Sequence, residues 1–160
     1  MVLGERIEPG DALDVADGWA GDQYVAYRLD GRTCTAIAYR PESNGAVGST
    51  TDTMRRWADA SPGLGATVEV VGDDVVLRSC EPTPGQVPAP ADRTDLNLGY
   101  AALRVQIFAE ALGEDYSVDE SWCIGDHFAR AITPEQMQDG AANDPSVGQK
   151  LANQAVDACT

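Results

Sequence analysis

Cys123 and His127 stand four residues apart in "DESWCIGDHFARAI", one turn of a helix, and His127 is the only histidine of the chain. A thiol and an imidazole on one helical face can serve as metal ligands or as a nucleophile with its base. A zinc site asks for one or two further ligands, usually Cys or His. Only Cys159 and Asp126 are at hand to complete it. A reactive thiolate asks for an electropositive setting, whereas Asp119, Glu120 and Asp126 surround Cys123 and would hold its proton on. No metal, cofactor or catalytic residue is assigned here, and Cys123 is read as half of a disulfide.

The other chemical motifs are incomplete in the same way. No G-x-S-x-G elbow presents a serine to His127, and no G-x-G-x-x-G occurs. "NGAVGST" at 44–50 has the glycines and hydroxyls of a phosphate loop but no lysine. Asp11, Asp14, Asp17 and Asp22, and the pair Asp73 and Asp74, lack the spacing and terminal Glu of a calcium loop, and turn chemistry accounts for them. Paired carboxylates for hydrolysis are defined by their separation in space, which 26 acidic residues leave open.

The elements that must position any site follow from pattern. With 160 residues, 43% of them hydrophobic, the chain has the length of one domain and the means to bury a core. Its 11 basic and 26 acidic residues give a net charge of −15, with no basic cluster to displace counterions. Nucleic acid and anionic membrane surfaces are therefore poor partners. No run approaches the roughly 20 apolar residues of a membrane span. "MVLGERIEPG" has neither the basic nor the apolar region of a secretory signal, so an exported location requires a signal or anchor upstream.

Residues 1–22 read as an extended arm anchored by Leu13 and Trp19. "QYVAYRL" and "RTCTAIAYR" alternate as strands about Asp30-Gly31, with Thr35, Ile37 and Tyr39 on one face and Cys34, Ala36 and Ala38 on the other. "PESNGAVG" reads as a loop, and "STTDTMRRWADASP" as a helix capped by its Ser or Thr and stopped by Pro62. "ATVEVVGDDVVLRSC" gives a second hairpin. The expected fold class is α+β: a small, mostly antiparallel β-β-α-β-β sheet over 1–80, then a helical subdomain over 93–160 docked with it as one unit. Between them "EPTPGQVPAPAD", residues 81–92, holds four of the nine prolines and reads as a stiff connection.

In the helical part Leu96, Tyr100, Leu103, Ile107 and Ala111 share one face of a helix that Gly113 ends. Ser117-x-x-Glu120 is a capping box for a helix through Ile132. Thr133-Pro134 opens a short turn, and Asp144-Pro145 a last helix reaching Cys159. Four cysteines allow three pairings. The simplest joins Cys34 to Cys80 and Cys123 to Cys159, closing each part by its own bridge. Disulfides persist outside the reducing cytosol, so this pairing implies export.

The runs "YRLDGRTCTAIAYR" and "MRRWADASPGLGATVEVVGDDVVLRSCEP", with the tail "SWCIGDHFARAI...KLANQAVDAC", resemble exported or membrane-tethered domains of high-GC Gram-positive (actinobacterial) envelope proteins. One lysine against ten arginines fits that coding bias. The resemblance implies an extracytoplasmic envelope location and carries over no catalytic residue. The expected function is a non-enzymatic binding or interaction module for a protein or small-molecule ligand at the envelope, with Trp19, Trp57 or Trp122 in its contact surface. The alternatives are a carboxylate-dependent hydrolase with a cleft between the two halves, and a structural spacer in a larger envelope protein.

Overall fold

The structure, a computed structural model, describes residues 3, 6–82, 85, 94–140 and 144–160, without the side chains of 94–98. It is the expected α+β arrangement, and the chain divides into two compact units, Met1–Asp92 and Arg93–Thr160. Beyond Glu81, Pro82 and Gly85 the connection read at 81–92 lies outside the described residues, as does the side chain of Leu96.

In the first unit α1 (Pro9–Asp17) leads into β1 (Trp19–Leu29), β2 (Arg32–Pro41), α2 (Ala46–Asp59), β3 (Thr67–Val71) and β4 (Asp74–Cys80). The four strands form one antiparallel sheet in the order β1-β2-β4-β3. β1 and β2 join through Asp30 and Gly31, both in the left-handed region at φ 51° and 79°. That is the two-residue turn whose twist matches the strands it joins. Asp22, Tyr24, Ala26 and Arg28 lie opposite Tyr39, Ile37, Thr35 and Thr33, and share their face of the sheet. Tyr39, Val75 and Leu77 meet Met54 and Trp57 of α2 and Val15 of α1 in the core. On the opposite face Cys34 lies directly across from Cys80, and their sulfurs are bonded.

Three expectations are corrected here. Residues 9–17 of the supposed arm are helical: Glu8 is extended at the N-cap, Pro9 supplies the fixed φ of a first helical position, and Gly18 ends the helix. Its anchor is the buried Val15, whereas Leu13 is half-buried and Trp19 is 54% exposed. α2 starts at Ala46, inside the expected loop, because Thr50, Thr51 and Thr53 are buried in its body rather than capping its start. Trp57 is 6% exposed in the core and has no face left for a partner.

The second unit is helical: α3 (Thr94–Gly113), α4 (Val118–Ala131), α5 (Pro134–Gln138) and α6 (Pro145–Cys159). Ser117 and Glu120 form the capping box of α4, Thr133 and Gln136 that of α5, and Asp144 caps α6 by accepting from the Ser146 N–H. Tyr100, Ala111, Ile124, Phe128, Ile132, Leu151 and Ala155 build a separate core. The Tyr100 hydroxyl donates to the Ile132 carbonyl at 3.0 Å. Cys123 and Cys159 are bonded, with Cα atoms 5.8 Å apart, so both expected bridges are present. No helix among the described residues is long and apolar enough to cross a membrane.

Candidate functional site

The opening pair of residues is brought together with a third. The ligand atoms of Cys123, His127 and Cys159 all lie within 4.8 Å of one another. Both sulfurs are spent on the disulfide, which leaves an exposed imidazole beside a bridge. A bridged sulfur is neither thiolate nor nucleophile. Asp126, the carboxylate that could have joined a metal site, turns instead to Arg130 at 2.7 Å and Arg104 at 3.3 Å.

That ion pair belongs to a cluster the sequence did not announce. Arg104 is buried, and its guanidinium lies 4.5 Å from the centre of the Trp122 ring, whose edge-to-face partner at 5.4 Å is Phe108. Arg104 and Phe108 sit four apart on α3, and Trp122 and Asp126 four apart on α4, so the two facing turns form a clamp. Trp122 keeps 46% of its surface exposed while doing so. The signal available was the pair of i, i+4 spacings, which becomes meaningful only once the two helices are known to face each other.

A second feature lies in the first unit. A concavity of about 550 Å³ is lined by Leu3, Ala16, Trp19, Asp22, Ile37, Tyr39, Met54 and Leu77. Strand alternation places Asp22, Ile37, Tyr39 and Leu77 on the same face of the sheet, and α1, ending just before Trp19, brings Ala16 to its side. Its volume falls in the range that small-molecule sites occupy, and its walls have their apolar character with one carboxylate at the rim.

Tyr39 closes one wall. Its hydroxyl donates to the Val15 carbonyl, so it ties the last turn of α1 to β2. Burial, reinforced by the negative charges of Asp17 and Asp22, pushes its phenol up to about 12. The hydroxyl therefore stays protonated over the ordinary pH range and acts as a strut rather than as a base.

Three carboxylates elsewhere in the chain serve the fold. Glu81, Glu120 and Asp144 are each held below the ordinary carboxylate range, by hydrogen bonds from Thr33, Ser117 and Ser146 respectively. The concavity instead has the means to hold an apolar body and to orient a cationic or donor group toward Asp22. Of the three tryptophans, Trp19 lines it, Trp57 lies in the core and Trp122 lies in the clamp of the second unit. Comparison of the chain with protein-family models, with curated proteins and with solved structures finds no match.

Proposed function

We propose that this chain is an extracytoplasmic envelope domain that binds a small, predominantly apolar ligand without transforming it. The concavity bounded by Trp19, Ile37, Tyr39 and Met54, with Asp22 as its one charged group, carries this reading. Its polar complement is sparse for covalent or acid–base chemistry, while one carboxylate is enough to set a ligand's orientation. The two disulfides support an oxidising compartment, because such bridges are rare where glutathione keeps thiols reduced. The actinobacterial resemblance of the cysteine-containing segments points the same way.

The test uses N-phenyl-1-naphthylamine, a neutral apolar probe whose fluorescence rises on leaving water. Saturable enhancement is expected with the native protein, and Trp19→Ala should weaken it by about tenfold, the worth of a large aromatic contact. Trp19 is more than half exposed, so the substitution leaves the core intact. Equal probe affinity of the native and Trp19→Ala proteins would remove the site from consideration.

A further inference from the structure

We infer that β1 is the interface of a symmetric dimer, in which two copies of the chain join their four-stranded sheets edge to edge. β1 is the terminal strand of the sheet and runs for eleven residues, against five for β3 at the opposite edge. It is exposed along nearly its whole length: Tyr24 is 79% and Val25 56% accessible. A long edge strand with apolar side chains is a template for another strand, which proteins otherwise blunt with charges, prolines or brevity. Between Asp22 and Arg28 this strand has no charge and no proline.

The hairpin turn decides which backbone groups are free. In a two-residue turn the flanking residues, here Leu29 and Arg32, form the hydrogen-bonded pair. Counting back by twos, Tyr27, Val25 and Gln23 bond toward β2. The N–H and C=O groups of Arg28, Ala26, Tyr24 and Asp22 therefore point outward. No described residue of the first unit takes them up.

Those outward groups can be satisfied by a second β1 running antiparallel, and side-chain charge selects the register. Centred on Val25, the pairing sets Asp22 opposite the partner's Arg28 and Tyr24 opposite the partner's Ala26, with Val25 facing its own copy. Asp22 and Arg28 lie on the same face of the sheet, so each pair meets side by side, twice per dimer. Centring on Ala26 would oppose Asp22 to Asp30, and centring on Tyr24 would leave both charges facing alanines. Only the Val25 register pairs opposite charges and sets a large side chain beside a small one. The contact is isologous, as a closed twofold dimer requires.

The net charge of −15 on each copy opposes association. At physiological ionic strength charges farther apart than about 8 Å are screened, while directly opposed pairs are much less so. The occupant is thus a second copy rather than a strand of another protein, because the charge pattern of residues 22–28 complements itself.

Sedimentation velocity between roughly 1 µM and 1 mM protein is the measurement, a range that covers weak association. The native chain should pass from monomer to dimer. Ala26→Pro removes an outward N–H while leaving the bonds to β2 in place, and should remain monomeric. Asp22→Arg alone and Arg28→Asp alone place like charges opposite each other and should each weaken the dimer by about tenfold. The double variant Asp22→Arg/Arg28→Asp restores both pairs in reversed sense and should return the affinity toward the native value. A native chain that stays monomeric throughout, or a dimer indifferent to Ala26→Pro, overturns the interface. Failure of the double variant to recover overturns the Val25 register. Asp22 lines the concavity, whereas Ala26 and Arg28 do not, so Ala26→Pro and Arg28→Asp separate failure of this proposal from failure of the binding site.

Discussion

Tyr39 shows how much one buried hydroxyl can organise. It is 5% exposed, belongs to the sheet core, forms a wall of the concavity and donates to the Val15 carbonyl of α1. Replacing it by Phe keeps the ring and strands that carbonyl without its donor. Loss of about 1–3 kcal/mol is expected, the cost of an unsatisfied buried acceptor, read by urea denaturation. The phenol also makes stability depend on pH. Its folded pKa of about 12 lies above the unfolded value of 10.0, so the neutral form is favoured by folding. That contribution is complete below pH 10 and is lost as pH rises from 10 toward 12. Absorbance titration at about 295 nm should show a late tyrosine transition whose amplitude Tyr39→Phe reduces.

Between elements, α3 and α4 approach closely at Gly125. A Cβ built there would stand 2.7 Å from the Arg104 carbonyl oxygen and 3.2 Å from the Phe108 nitrogen, backbone atoms that cannot swing aside. Gly125→Ala should therefore spread the helices, weaken the Arg104–Trp122 contact and cost about 1–3 kcal/mol, the usual toll of overpacking. Near-ultraviolet circular dichroism of Trp122 should change with it, and an unaltered stability would mean the helices are not held by this contact. The sequence announced α4 through its capping box and both hairpins through their turns, because those signals lie within a few adjacent residues. It concealed α1, where the density of glycine and aspartate masked Pro9 at the first position and Gly18 at the stop. It also misplaced the start of α2: the threonines that resemble caps are buried, and Thr51 donates to the Val47 carbonyl within the helix. The concavity was invisible for a different reason. Its walls come from α1, α2 and three strands, so no local window contains them.

The molecule repeats one solution in two different materials. Each unit has a modest core of its own and one disulfide, a cross-strand bridge in the sheet and an interhelical bridge between α4 and α6. The sequence separations of 46 and 36 residues are similar, so loop entropy assigns the two bridges nearly equal weight, roughly 4 kcal/mol each as an upper figure. That sum is comparable with the whole stability of an ordinary domain. Native protein should accordingly yield no alkylated cysteine before reduction and four after it, and any reactive thiol in the untreated protein would contradict the bridges. The consequences of removing one bridge should fall on the unit that carries it. Cys123→Ser/Cys159→Ser should raise amide exchange in α4 and α6 while leaving the β2–β4 ladder protected, and Cys34→Ala/Cys80→Ala should do the reverse. Exchange that rises equally in both units with either pair of substitutions would show instead that the two cores unfold together.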